Sequence, residues 1–309
     1  MNITLRPGTP EDVEICGRIC FDAFTTISNQ HRFPQDFPSV DVAIGLIQWC
    51  LTKPDVYSVV AEIDGRVVGS NFLWENEPIA GIGPITVDPA VQNASVGRRM
   101  MEDVMARVGW PITPARQQDE PAPAAGGGRR FPGVRLVQAA FHMRSLSLYT
   151  KLGFDPREPL ACMQRASSPA PKITITGRDV RAARPDDLNA CSQLCERIYG
   201  FARKDELKGA IEQGVGRVVT DTATGRITGY TTSIGFFAHT VGKSNEDIKA
   251  LIAAAPEIAG PGVLVPIHNA DLFRWCLTTA GLRVTQTMTL MSVGLYQEPN
   301  GAWLPSILF

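Results

Sequence analysis

The stretch IAGIGPITVDPAVQNASVGRRMMEDVMARV, residues 79–108, decides the fold. Its first part is an apolar run that ends at Asp88-Pro89 and reads as a buried strand. Its last part carries Val96, Met100, Met101, Val104, Met105 and Val108 at helical spacing. Between them lies a loop of small and polar residues, Gln92 to Gly97, followed by Arg98 and Arg99. Strand, small loop and helix in this order suit an anion, because backbone N–H groups at a helix start point outward unpaired. Gly97 permits close approach to the backbone, and two arginines add positive charge. The alternative is an ordinary connection between a strand and a helix.

Working outward, VRLVQAAFHMRSLSLYTKLGF (134–154) reads as a second strand and a short helix closed by Gly153-Phe154. Between the two segments, residues 109–133 are rich in Gly and Pro, lack apolar periodicity and read as a flexible surface insertion. The chain also repeats itself. Arg6, Pro10, Asp12, Cys16 and Cys20 recur as Arg181, Pro185, Asp187, Cys191 and Cys195, every pair 175 residues apart. VVAEIDGRVVGSNFL and RVVTDTATGRITGYTTSI are matching hairpin patterns, with Gly65 and Gly225 in the turns. Two related α/β domains follow. The boundaries fall at 1–166, a Ser/Pro-rich linker at 167–177, and 178–309.

The first of these domains resembles the GNAT N-acetyltransferase superfamily. Gln92-Asn93-Ala94-Ser95-Val96-Gly97 matches the family's Q/R-x-x-G-x-G/A loop, with Ser95 where Gly is usual. Ser145, Leu148, Tyr149, Gly153 and Phe154 match its second motif, N-x-x-A-x-x-L-Y-x-x-x-G-F, with His142 in place of the common Asn. The resemblance implies a mixed, mostly antiparallel sheet flanked by helices in two tandem domains. It implies acetyl-CoA as acyl donor, with Ile85, Thr86 and Val87 along its pantetheine arm. The loop Gln92–Arg98 would hold its diphosphate, with Arg98 supplying charge. Tyr149 is the implied general acid. The strand 79–87 has no carboxylate, which leaves Glu75 and Glu77 as the nearest bases, and His31 lies where the family lines its acceptor site.

The implied reaction moves an acetyl group to a primary amine of a small acceptor. A non-catalytic acyl-CoA sensor is the competing reading. The second copy has GFFAHTVGKSNEDIKALI (235–252) where the first has its anion loop, and Leu277 falls opposite Tyr149, so it reads as a degenerate scaffold. His239, Asn269, Arg274, Trp275 and Arg283 are its candidate cleft residues.

Charge balance excludes a global pull toward nucleic acid or membrane: 30 basic residues face 31 acidic ones, for a net −1. The seven cysteines show no metal spacing and suit core packing in a reducing, cytoplasmic setting. No run is long enough to span a bilayer. The apolar terminus around Trp303, Leu304, Ile307 and Leu308 must be docked, within the chain or against a second copy in a homodimer.

Overall fold

The computed structural model describes residues 2–75, 78–92, 94–110, 130–166 and 170–308. Glu77, Asn93 and most of the expected insertion (111–129) lie outside them. By contacts the chain forms two compact units. The first holds residues 1–156, 291–295 and 308, and the second holds 157–290, 296–307 and 309.

In the first unit, β1 (Ile3–Pro7), α1 (Val13–His31) and α2 (Val40–Thr52) precede the hairpin β2 (Val56–Ile63) and β3 (Arg66–Trp74). Asp64 and Gly65 both take positive φ, 51° and 78°, the tight turn that matches the twist of its flanking strands. β4 (Ile79–Val87) follows, then α3 (Val96–Arg107), β5 (Gly133–Ala139) and α4 (Met143–Lys151). The order β1-β2-β3-β4 is antiparallel throughout, whereas β4 and β5 run parallel. Leu295 then donates its N–H to Pro132 O at 2.9 Å, which places residues 291–295 beside the start of β5.

Two details of β4 set up everything that follows. Its ladder with β3 reads Ile82↔Leu73, then Ile85↔Asn71, so Gly83 and Pro84 oppose Phe72 alone. This is a bulge, which bends a strand, and Pro84 has no N–H to lose there. The Trp74 indole N–H pins it by donating to Gly83 O at 2.7 Å. The parallel ladder with β5 contains only Ile79↔Gly133, Ala80↔Val134 and Gly81↔Arg135, and ends just before the bulge. From Ile82 onward the β4 edge facing β5 has no strand partner among the described residues.

The apolar stripe of α3 is buried as its spacing implies: Val96, Met100, Met101, Val104, Met105 and the following Val108 all lie in the core under the sheet. The seven cysteines are free and buried. Among the described residues, no helix is long and apolar enough to cross a membrane, and no cluster of metal-ligating side chains occurs.

The second unit repeats the opening of the first. β6 (Asp155–Arg165), from residue 157 on, belongs to this unit. After it come β7 (Arg178–Ala182), α5 (Leu188–Tyr199), α6 (Lys204–Glu212), β8 (Arg217–Asp221), β9 (Ile227–Thr231) and β10 (Thr240–Gly242). Then follow α7 (Asn245–Ala254), β11 (Val263–Pro266), α8 (Ala270–Thr278), β12 (Leu282–Gly294) and β13 (Ala302–Leu304). The repeat holds to the level of single bonds. Arg6 grips Asp12 through two N–H···O bonds at 2.7 and 2.8 Å, and Arg181 grips Asp187 at the same two distances. In each case the same carboxylate accepts a backbone N–H, from Thr9 or Arg184, at 2.8 Å. Each fork ties the strand that opens its copy, β1 or β7, to the entry of the following helix.

The apolar terminus is docked within the chain. Trp303 and Leu304 are buried in the second unit, Ile307 donates its N–H to Phe236 O, and Leu308 packs in the first unit's core beside Phe72 and Trp74. It supplies no argument for a homodimer.

Of the candidate cleft residues of the second copy, His239 and Asn269 are held in structural bonds. His239 is fully buried: its Nδ1 meets Glu206 at 2.9 Å and its Nε2 meets the Tyr230 hydroxyl at 2.9 Å. Asn269 caps α8 by accepting from Leu272 N–H, and Arg274 is exposed and paired with Asp271. Burial outweighs the neighbouring carboxylate and holds His239 below the usual imidazole range. Arg203 and His239 hold Glu206 down at about 2 against the opposing effect of burial.

Both shifts have the same sign for stability. The unfolded chain takes up protons at these groups that the folded chain refuses, so stability is greatest above pH 7. It should fall first as pH drops through about 6.5, from His239 and from His142, whose imidazole burial also holds down, to about 4, and again below about 4.3, from Glu206 and the arginine-bound carboxylates Asp12, Glu75 and Asp187. Urea unfolding from pH 8 to pH 3 checks this. A His239→Gln chain, less stable throughout, should show a smaller first step.

Candidate active site

The site grows from the open edge of β4. Ile85, Thr86 and Val87 pair with Asn71, Ser70 and Gly69 on the β3 side and leave their other edge toward the gap. On the opposing strand, beyond the paired stretch, Gln138 is buried with neither amide atom partnered. Burying an unpaired amide costs about 1–3 kcal/mol.

Past Val87, Asp88 turns the chain by accepting the Ala90 N–H at 2.8 Å. Gln92 lies in the loop, with its side-chain oxygen bonded by Arg144 from the start of α4, and Ala94 packs on the core. Ser95 takes φ 63° and ψ 11°, the left-handed region where glycine is at home, and Val96 turns into the core.

The start of α3 is bare. Among the described residues no side chain caps it, no acidic residue occupies its first turn, and Arg99 N–H donating to Ser95 O is the first backbone bond of the helix. The N–H groups of Val96, Gly97 and Arg98 precede that bond. A Cβ on Gly97 would meet only Val87 Cγ2, at 3.6 Å, so packing does not demand a glycine there. Arg98 is half-exposed and paired with Glu102 one turn on, at 2.8 Å. Such a pair contributes about 0.3–0.5 kcal/mol, so Arg98 is readily redirected to a stronger anion. Arg99 is tied to Ile3 O at 3.0 Å.

The second unit makes the contrast explicit. There α7 begins with a capping box of Ser244 and Asp247, with Glu246 and Asp247 in its first turn. Its free N–H groups are already answered by a carboxylate. The edge of β10 is covered by β13, paired from Thr240↔Leu304 to Gly242↔Ala302. Leu277, opposite Tyr149 in the repeat, is an exposed apolar side chain on α8.

At the end of β5, His142 occupies the position before α4, and Tyr149 is buried within the helix, 6% exposed. Burial pushes the phenol up to about 12, so it stays protonated at neutral pH and keeps a proton to give. A cavity of about 280 Å³ adjoins it along the chain, lined by Ile27, Gln30, His31, Gln92, His142, Met143 and Arg144. His31 thus lies at a site wall rather than on a free loop, beside Phe141, on which Phe33 stacks at 4.2 Å.

Glu75 is placed differently from its expected role as base. It follows β3 at the end where the β4–β5 ladder is intact, and both its oxygens are engaged. Arg107 binds at 2.7 and 3.1 Å, and Arg130 binds at 2.6 Å. These two arginines overcome the effect of burial and hold the carboxyl below its ordinary range. A carboxylate that holds protons so weakly, on a side chain only 9% exposed, is a lock between elements rather than a base.

The sequence reading missed two features of the site. It took His142 and Ser145 as motif positions only, although their side chains meet at 2.6 Å. It also passed over Gln138.

Comparison with known proteins bears on the fold. Residues 22–108 match the family model described as the acetyltransferase (GNAT) family. No curated protein matches the chain. Among solved structures, a candidate acetyltransferase from Pyrococcus horikoshii aligns over 97% of this chain and 94% of its own, with TM-score 0.68 and 16% identity. A GCN5-related N-acetyltransferase from Sphaerobacter thermophilus aligns over 96% of both chains, with TM-score 0.60 and 13% identity. A tandem GNAT protein from the clavulanic acid biosynthesis pathway aligns over 95% and 98%, with TM-score 0.53 and 12% identity. At these identities the likeness shows a shared fold, which is the tandem α/β fold with a mostly antiparallel sheet.

Ser95 offers a direct check. A non-glycine residue in the left-handed region is strained by about 1–2 kcal/mol, more than the roughly 0.5–1 kcal/mol of chain entropy that glycine adds. Ser95→Gly should therefore raise the unfolding free energy by about 0.5–1 kcal/mol in urea titration.

Proposed function

We propose that the chain is an acyl-CoA-dependent N-acyltransferase that carries an acetyl group to a primary amine of a small acceptor. One observation carries this reading. An open strand edge leads straight to a bare, glycine-bearing, arginine-flanked helix start. Few ligands need an extended amide-bearing arm and a diphosphate joined in that order, and acetyl-CoA is one.

The residues fit such a ligand. Backbone groups of Ile85–Val87 bond the pantetheine amides, and the α3 N–H groups with Arg98 receive the diphosphate. Gln92 to Ser95 shape the loop around it. Bound there, acetyl-CoA supplies an activated thioester. Tyr149 donates a proton toward the leaving sulfur. The cavity beside His31 and His142 receives the amine. On this reading the second unit is a degenerate copy, its equivalent helix start closed by Asp247 and its strand edge by β13.

A second reading, an acyl-CoA sensor without turnover, is favoured by one observation: the carboxylate nearest to the usual base is locked by two arginines. Release of CoA thiol over a panel of amines separates the two, because a sensor binds the cosubstrate and releases none.

The first test is calorimetric titration of acetyl-CoA into the wild type and into Gly97→Glu. One molecule should bind per chain. The variant should stay folded, since a Cβ there meets nothing closer than Val87 Cγ2, yet bind at least roughly 100-fold more weakly, about 2.7 kcal/mol. A folded wild type that binds no acetyl-CoA overturns the transferase and the sensor together.

A further inference from the structure

The cavity of the first unit is basic. Arg144, at the start of α4, brings a permanent guanidinium charge to its wall. His31, from the last turn of α1, adds an imidazole that becomes a cation when protonated. Gln30 and Gln92 are neutral amides. His142 is neutral at physiological pH, pushed down to about 4 by burial first and then by the charges of Arg144 and His31. No aspartate or glutamate lines the cavity among the described residues.

The fold holds these groups where they are. Arg144 donates an N–H to the Gln92 side-chain oxygen, which fixes the guanidinium against the loop that precedes α3. The helix does not account for an arginine there. A cation in a first turn faces the positive end of the helix dipole, and the first turn of α4 carries no acidic residue to offset it. The His31 ring leans on Phe141, with centroids 5.4 Å apart, and Phe33 stacks on the same ring.

The cavity also stands off the path assigned to the cofactor. Neither Ile85–Val87, along the pantetheine arm, nor Val96–Arg98, around the diphosphate, lines it. Gln92 is the residue common to the cavity and the diphosphate loop. A cleft walled by one sign of charge draws groups of the opposite sign. A diamine would bring a second ammonium to this wall. An amine with its own oxyanion would bring the charge that the wall lacks, and a guanidinium fork takes a carboxylate or a phosphate through two parallel N–H bonds.

Resting on the acetyltransferase reading, we propose that the acceptor is a small amine that carries its own oxyanion, an amino acid or an aminoalkyl phosphate, and that Arg144 selects it by binding that oxyanion. Gln92 positions the guanidinium, and His31 and Gln30 present further N–H donors from α1.

A matched panel tests this. ω-Amino acids of increasing length are each compared with the alkylamine, the diamine and the aminoalkyl phosphate of the same length, so that the remote group alone changes. Release of CoA thiol should favour the best amino acid or phosphate over its alkylamine by roughly 10–100-fold in kcat/KM, the range of one charge-assisted contact, and the difference should lie in KM. The diamine should be the poorest acceptor. Whichever oxyanion leads identifies the source. Arg144 is exposed, so its variants should stay folded, which circular dichroism checks. Arg144→Gln should erase the preference, and Arg144→Glu should reverse it toward the diamine. Arg144→Lys, which keeps the charge and loses the fork, should retain part of it.

Binding reads the same contact without turnover. The N-acetyl product of the best acceptor should bind the CoA-loaded chain, and Arg144→Gln should weaken it by a similar factor. Acetyl-CoA should bind the wild type and Arg144→Gln alike.

An alkylamine or diamine used as well as its amino acid and phosphate counterparts overturns the assignment. So does an Arg144→Gln chain whose loss falls on acetyl-CoA binding, because the guanidinium then serves the cofactor's phosphates. Either result leaves the transferase reading standing. A wild type that binds no acetyl-CoA, or binds it and releases no CoA over the whole panel, defeats the transferase reading and the acceptor class with it.

Discussion

The parallel ladder between β4 and β5 is three residue pairs long, and the site exists because it stops there. Backbone N–H and C=O groups inside a protein are nearly always paired. A strand that leaves a central neighbour for half its length therefore commits those groups to something other than the sheet. The Gly83–Pro84 bulge, pinned by Trp74, sets where β4 bends. The same departure fixes the two helices that matter. α3 begins where β4 ends, and α4 begins where β5 ends. The bare helix start and the Tyr149 face are thus consequences of one local irregularity, not separate inventions.

The two units show what it takes to close such a site. Both keep the Arg–Asp fork, the antiparallel strands and a helix after the edge strand. In the first unit the helix start has glycine, arginine and no acid. In the second a capping box supplies a carboxylate from within, and a short strand takes the open edge. Internal satisfaction and ligand binding compete for the same N–H groups. A unit relieved of binding is free to stabilise itself by using them.

Much of this was legible in the sequence for plain physical reasons. The 175-residue repeat preserves residues that make identical bonds, so five scattered identities marked two copies of one element order. Gln92–Gly97 stood out because small residues before a helical stripe have few other uses. Ser95 looked like a departure from a glycine, and its left-handed backbone shows that the conformation was kept while the side chain changed. The rest escaped for equally physical reasons. Glu75 was close in sequence to the right strand, but sheet geometry put it at the far end, and its two arginines lie 32 and 55 residues away along the chain. The His142–Ser145 pair is spaced like any i, i+3 pair at a helix start, and its contact becomes visible only in the structure.

Residues 291–295 belong to the first unit although the chain reaches them last. A ribosome would therefore release the opening half with the flank of β5 at Pro132 still bare. Exposed strand edges invite stray pairing until they are covered. The completing segment is made only after the whole second unit has been synthesised. Vectorial synthesis thus couples the maturation of the first unit to the birth of the second. A second unit held in this way is hard for evolution to discard, because deleting it would also remove the piece that finishes the first.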